Sequence, residues 1–229
     1  MSCEIDCRRL VEVPETGLCN GETLPPAIGH HPLRNRVRDV LIPARIIRKR
    51  VEHMAEQIHT DFAASGRITI VAVLKGAFVF ASDLIRAIMR HGGLEVKVDF
   101  YEARTYGEEI KQKGETHRTV HILRRPQART DVDLILVDDI ADTVQTITAL
   151  KEDAIGTLGF PESRIHLCFL LDKVLRQPTP AVARLKRDLN PAYVGFRVPD
   201  LWVAGYGIDA GEDFRGLPDV IAVREACYR

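Results

Sequence analysis

At 229 residues, 45% of them hydrophobic, the chain is long enough to bury a sizeable core and fits one domain with room for a small appended lobe. Thirty-two Lys and Arg balance 32 Asp and Glu, so no global field of the kind that holds nucleic acid or an anionic membrane is present. The longest apolar runs are strand-sized and interrupted, which excludes a helical bilayer span.

The first 36 residues carry Pro14, Gly17, Gly21, Pro25, Pro26, Gly29 and Pro32 without hydrophobic periodicity. They read as an arm outside the core. Three of the five cysteines, Cys3, Cys7 and Cys19, lie in this arm. The odd count, and Glu4, Asp6, Arg8 and Arg9 where a signal peptide has its apolar segment, point to a reducing compartment, the cytoplasm. Cys3 and Cys7 lack the second pair that a zinc site needs, and the ending Cys227-Tyr228-Arg229 is not the peroxisomal Ser-Lys-Leu.

From Ile46, the apolar set Ile47, Val51, Met54, Ala55, Ile58 and Phe62 keeps helical spacing up to a stop near Gly66. Ile68 to Leu74 then reads as a strand, Phe78 to Met89 as a helix stopped by Gly92 and Gly93, and Leu94 to Tyr101 as a half-covered strand with Leu94, Val96, Val98 and Phe100 inward. Thr105 to Arg129 is polar, with periodicity only at Val120 to Leu123, as in a functional lid or a disordered segment. Strands at 134–138, 165–171 and 193–198 and a helix at 143–155 complete the alternation, which implies a parallel sheet of the α/β class.

The most informative stretch is Leu134 to Thr146, where an apolar strand stops in Asp138, Asp139 and Asp142, followed by Thr143 and Thr146. Ligands of open α/β sheets bind at strand carboxyl ends, and the helix that follows offers backbone N–H groups and a partial positive charge to a phosphate. Asp138 and Asp139 would repel a phosphate, so they suit sugar hydroxyls or hydrated magnesium. The plainer reading is that Asp142 and Thr143 simply cap a helix.

This run resembles the phosphoribosyl-pyrophosphate signature of the type I phosphoribosyltransferases, two acids, two apolar residues, then Asp-Thr-Gly and a further Thr. The wider chain is similar to the purine-salvage, hypoxanthine-guanine branch of that family. The likeness runs in order through Arg38 to Gln57, Val71 to Leu84, Val98 to Gly107, the acidic run, Leu170 to Lys173 and Tyr193 to Val223, about four-fifths of the chain. The resemblance implies a twisted parallel sheet flanked by helices with a small hood lobe. It implies an arm at 1–36 contributing to the hood, a core at 37–198 and a carboxy-terminal hood segment at 199–229.

It also implies a reaction, displacement of pyrophosphate from phosphoribosyl pyrophosphate by a 6-oxopurine, with Mg²⁺ as cofactor. Asp142 matches the catalytic acid/base residue. Asp142, Thr143, Val144, Gln145 and Thr146 match the phosphate cradle, and Asp138 and Asp139 the ribose contacts. Lys75, Gly76 and Arg215 match the pyrophosphate site, where relatives can have a cis Leu-Lys bond. Lys173, Trp202, Val203 and Asp209 match the base site, with Asp138, Asp139 and Asp209 near metal. Thr105 and Tyr106 match a mobile lid that excludes water. None of the eight histidines, among them His53, His59, His117 and His121, falls on a family position. The implied assembly is a homodimer or homotetramer, with no nucleic acid or membrane partner.

Val144 stands where most relatives have Gly, and Gln145 where a basic residue is common. A helical φ is expected for Val144, since a positive φ would strain a β-branched side chain. The rival class is a nucleotide-binding regulator that has kept the fold and lost catalysis. A receiver-like phosphoacceptor would need its acids spread over two strands. No Gly-x-Gly-x-x-Gly and no Gly-Lys-Ser/Thr loop occurs, which weakens dehydrogenase and NTPase readings.

Overall fold

The computed structural model describes residues 5–18, 25–106 and 119–227. Two of the apolar runs become neighbouring central strands, β3 (Arg67–Leu74) and β6 (Asp133–Ala141), paired in parallel from Ile68 opposite Asp133 to Ala72 opposite Val137. Both are covered on both faces, so neither alternates in sequence. β4 (Glu95–Tyr106) lies beside β3, while β7 (Ile165–Val174) and β8 (Tyr193–Pro199) extend the sheet beyond β6. β5 (Thr119–Arg124) closes one edge antiparallel to β4, and β1 (Val11–Glu12) the other edge, parallel to β8.

The resulting order is β1-β8-β7-β6-β3-β4-β5. From β3 the chain steps one way to β4, and from β6 the other way to β7 and β8. The winding therefore reverses between β3 and β6, and the crevice at their carboxyl ends is where such sheets bind ligands.

Successive residues of β3 face opposite sides of the sheet. Ile68, Ile70 and Ala72 join a core with Ile47, Met54 and Ile58 of α2 (Ala44–Phe62) and Phe80, Leu84 and Ile88 of α3 (Phe78–His91). Val71 and Val73 join a second core with Ile147, Leu150 and Ala154 of α4 (Gln145–Gly156) and Leu189 of α5 (Pro180–Leu189). The stripe expected on α2 is buried as read. Among its members sits the buried Arg50, which donates to the carbonyls of Cys7, Val194 and Gly195 at 3.1, 2.8 and 3.0 Å and so ties α2 to β8 and the arm. A buried guanidinium is tolerated because three carbonyl dipoles replace its water.

The hood is a three-stranded antiparallel sheet, β2 (Val37–Ile42), β10 (Val220–Val223) and β9 (Val203–Ala204), in the order β2-β10-β9. Its own small core includes Ile28, Ala210, Phe214, Leu217 and Ile221.

Four expectations change. The arm is not outside the core: Cys7, Val11 and Val13 pack in the main core, and Ile28, on α1 (Pro26–Gly29), in the hood. Sparse apolar residues there lack a period because each meets a different surface. β2 begins the segment expected as core but pairs with β10, so the hood takes strands from both ends of the chain. Val98 is 44% exposed, because the covering of β4 runs out toward the sheet edge. The polar stretch from Thr105 to Arg129 is not all loop: β4 runs on to Tyr106 and β5 lies within it; residues 107–118, with His117, lie outside the described residues, as do Cys3 and Cys19. Among the described residues Cys7, Cys168 and Cys227 are free thiols, and no helix is long and apolar enough to cross a membrane.

Candidate active site

Three residues, Asp142, Thr143 and Val144, carry the chain from the end of β6 into α4. Val144 is the residue that makes the turn, with φ 57° and ψ 8°, in the left-handed region. The expectation of a helical Val144 is therefore corrected. So short a connection needs one positive φ, and the cost of placing it on a β-branched residue, about 1–3 kcal/mol, is offset by burial of its side chain in the core beside α4. The capping position also differs from the plainer reading of Asp142 and Thr143: Val144 is the N-cap of α4, and its apolar side chain makes no capping hydrogen bond. Helix N-terminal amides left without a side-chain cap suit an anionic ligand.

These amides open onto a cavity of about 250 Å³ at the β3–β6 junction, lined by Asp138, Asp139, Asp142, Thr143, Val144 and Thr146 on one side and Leu74 and Gly76 on the other. Burial raises the Asp138 carboxyl well above the usual range, with the charge of Asp139 adding to it; burial also raises Asp139. The main chain partly compensates, since Asp138 Oδ1 accepts from the amide of Asp139 at 3.0 Å and Asp139 Oδ1 from that of Ile140 at 2.8 Å. Two adjacent carboxyls that resist joint ionisation are suited to receive hydroxyl donors or a cation.

The Leu74–Lys75 peptide is cis, and Gly76 lies hard against Asp139: an added Cβ would stand 1.9 Å from Asp139 Oδ2. From above, Gly207, at φ 100°, packs so closely that its own Cβ would be 2.4 Å from the Gly76 carbonyl oxygen. Two glycines thus let three chain segments meet. Tyr206 holds the hood loop there by donating its hydroxyl to Asp83 of α3 at 2.6 Å.

Beside the first cavity and sharing Leu74 and Ala103 with it, a second of about 500 Å³ is lined by Lys75, Glu102, Arg104, Glu212 and Arg215. Glu212 pairs with both cations, at 3.1 Å to Lys75 Nζ and 3.4 Å to Arg215. Arg215 also pairs with Asp209 at 2.7 Å and donates to the Gly207 carbonyl at 2.9 Å, while its Nε is buried without a hydrogen-bond partner. A buried donor left over in this way is a place for an anion to bind.

On the other flank, the buried Lys173 of β7 meets Asp142 at 3.1 Å. Val203 is buried in β9, and Trp202, one-third exposed, precedes it in the hood. Thr105 and Tyr106 end β4, and their side chains lie outside the described residues.

The sequence-expected residues therefore fall into three groups. Asp138, Asp139 and the 142–146 turn share one cavity with Gly76; Lys75 and Arg215 share the second; Lys173 contacts Asp142 directly. Asp209 stands with Arg215 instead of with Asp138 and Asp139, and among the described residues no three acidic, His or Cys side chains form a metal cage. A magnesium ion that keeps waters and substrate oxygens needs only one or two protein carboxylates, so Asp138 and Asp139 fit such an ion and Asp209 fits it only on leaving Arg215.

Two residues of the site had not been anticipated. Glu212 carries no signal that separates it from other surface acids. Lys186 lies on α5, whose Thr179 cap, Pro180 at the first turn and apolar Val182, Leu185 and Leu189 are a helix signature in retrospect.

Residues 41–210 match the family model described as the phosphoribosyl transferase domain. The hypoxanthine-guanine phosphoribosyltransferase of Aquifex aeolicus is 34% identical over 194 residues, covering 84% of this chain and 98% of that one. The hypoxanthine phosphoribosyltransferase of Escherichia coli K12 is 32% identical over 184 residues, covering 79% and 92%. The crystal structure of a hypoxanthine-guanine phosphoribosyltransferase from Bacillus anthracis is similar with a TM-score of 0.65 and 34% identity, covering 82% of this chain and 99% of that one. A Trypanosoma cruzi hypoxanthine phosphoribosyltransferase variant complexed with the product IMP is similar at a TM-score of 0.68 and 26% identity, covering 84% and 94%.

Proposed function

The chain belongs to the phosphoribosyltransferase family and is an enzyme of purine phosphoribosyl transfer, a pentosyltransferase; from that premise we propose which residues carry the reaction and which bases it takes. The observation that carries the reading is the position of Asp142. It lines the phosphate cavity and at the same time meets Lys173 at 3.1 Å, so one residue joins the sugar side to the base side.

In this reading the 5′-phosphate of phosphoribosyl pyrophosphate sits on the amides of 142–146 with the hydroxyls of Thr143 and Thr146. The ribose hydroxyls donate to Asp138 and Asp139, which favours their ionised forms. The pyrophosphate takes Lys75, the amide of Gly76 and Arg215, whose buried Nε gains the partner it lacks. Mg²⁺, when bound, neutralises pyrophosphate charge, and Asp138, Asp139 and, less readily, Asp209 are the side chains to hold it. Lys173 donates to the 6-oxo group, Trp202 stacks on the purine, Val203 offers backbone groups to its edge, and Thr105 and Tyr106 belong to the closing lid.

The bond from the anomeric carbon to the pyrophosphate oxygen breaks, the bond to a purine nitrogen forms, and one proton passes from the imidazole ring toward Asp142. The transition state is a sugar cation, so positioning and exclusion of water supply most of the acceleration.

Hypoxanthine and guanine are the proposed bases, with xanthine beside them, because all three present the 6-oxo group and differ only at the 2-position. The proposed assembly is a homodimer or homotetramer in the cytoplasm. Steady-state rates on the three bases with phosphoribosyl pyrophosphate and magnesium test the base set. Asp142→Asn is expected to lower turnover by about 10²- to 10⁴-fold. Full activity in that variant would remove Asp142 from proton transfer, and absence of activity in the wild type with nucleotide binding retained would favour a regulator.

A further inference from the structure

The ladder between β6 and β7 ends with Ala141 opposite Asp172, one residue short of Asp142 and Lys173. Beyond that pair the strand ends are joined by the ammonium of Lys186, reaching in from α5. Its Nζ donates to the carbonyls of Ala141 at 2.6 Å and Lys173 at 2.8 Å and to Asp172 Oδ1 at 2.9 Å, with the Asp142 carbonyl at 3.4 Å. An ammonium has three protons, and three short acceptors use them all. Asp172 balances the charge, and its other oxygen takes Arg197 of β8 at 3.3 Å, which in turn pairs with Glu12 of β1 at 2.9 Å.

We propose that Lys186 is a positioning residue for the transfer reaction, fixing the spacing of Asp142 and Lys173 by clamping the main chain on which both stand. The proposal rests on the reading that those two residues act on the purine. A purine holds its 6-oxo oxygen and imidazole nitrogen at one rigid separation, so the lysine and the carboxylate that address them must be held at a matching one. Side-chain pairing at 3.1 Å does not hold the spacing through the reaction, because the proton that Asp142 takes from the imidazole ring removes the charge that attracts Lys173. A clamp on the backbone persists through the reaction. The phosphate cradle depends less on it: Val144 and Ile147 anchor the start of α4 by burial in the second core.

The test compares full-length wild type, Lys186→Met, Lys186→Arg and Asp142→Asn. Lys186→Met keeps the length and removes every donor. It is expected to lower kcat by about 10- to 100-fold, the loss that a displacement near 1 Å produces, and to raise KM for hypoxanthine. Affinity for phosphoribosyl pyrophosphate with magnesium, measured by calorimetry, is expected to stay within about twofold, because that loss is confined to interactions of the base side. Lys186→Arg keeps the charge but cannot set one nitrogen among three oxygens, and is expected to lose about 3- to 10-fold in kcat by a smaller displacement.

Wild-type kcat in Lys186→Met would overturn the proposal. So would a loss of phosphoribosyl pyrophosphate affinity in parallel with kcat, which marks general distortion of the fold. Should Lys186→Met not fold, Lys186→Arg decides by the same two measurements. Asp142→Asn separates the failures: full activity there overturns the underlying assignment, whereas a slow Asp142→Asn beside an unimpaired Lys186→Met overturns the clamp alone.

Discussion

The floor of the site and the hood above it are built on different principles. The floor, at the ends of β3 and β6, is positioned by buried chain: a ladder through both strands, Val144 and Ile147 in the core, and Asp138 and Asp139 sunk at the junction. The hood face between Asp209 and Arg215 is held by ion pairs, Lys75–Glu212, exposed on both sides, and the pairs of the half-buried Arg215 with exposed Glu212 and with Asp209. Exposed pairs contribute little and exchange readily. A ligand can therefore take over the cations of the hood at small cost, whereas it must fit the floor as it stands.

Among the changes that test this contrast, the largest effect is expected where the two regions touch. Gly207→Ala places a methyl 2.4 Å from the Gly76 carbonyl oxygen at a residue with φ 100°. Parting of the hood from the Lys75–Gly76 turn should cut kcat/KM for phosphoribosyl pyrophosphate by about 100-fold, and the strained backbone should cost about 1–3 kcal/mol in urea unfolding.

Val144 tests whether packing holds the floor. Val144→Ala loses buried side chain yet keeps a positive φ, and should destabilise by about 1–2 kcal/mol. Val144→Gly loses more surface but relieves the backbone, so its stability should lie within about 1 kcal/mol of wild type. Glycine falling well below alanine in denaturant titration would show that the left-handed turn costs little here.

Glu212→Gln sharpens the contrast from the other side. Releasing Lys75 and Arg215 from a competing carboxylate should lower KM for phosphoribosyl pyrophosphate by about two- to fivefold, in proportion to weak exposed pairs. A raised KM would mean that Glu212 orients the cations instead of competing for them.

The smallest effect is a pH dependence of the ligand-free fold. Because burial raises the folded-state pKa of Asp138 above its unfolded value, the wild type loses stability as pH rises through that window and stays lower above it. Asp138→Asn should therefore melt a few degrees higher at neutral pH, with the advantage vanishing below about pH 4. Thermal melts across the acid range give the answer.

Much of the floor was legible because its signals are local. The aliphatic run 134–137 followed by Asp138, Asp139 and Asp142 announces both a buried strand and the polar cluster at its end, and Leu74-Lys75-Gly76 ends its neighbour in the same manner. The handedness of Val144 was not legible, since the same residues suit a helix start or a left-handed turn until the distance between β6 and α4 decides. Nor was the use of the arm: Val11 acquires meaning only beside Phe196, its partner in β8. Arg50 and Lys186 look like any other cations on amphipathic helices, and only the carbonyls brought to them by distant strands make them structural.

The amino-acid sequence by itself determined the alternation of strands and helices, the place of the acidic run at a strand end and the membership of a family, because periodicity and contiguous motifs are properties of neighbouring residues. The tertiary structure alone decided that the winding reverses at β3 and β6, that Asp142 meets Lys173, that the hood borrows β2 from the other end of the chain, and that one ammonium from α5 holds two strand ends. These facts depend on which surfaces meet across long stretches of chain, and close approach is settled by the packing of the whole fold.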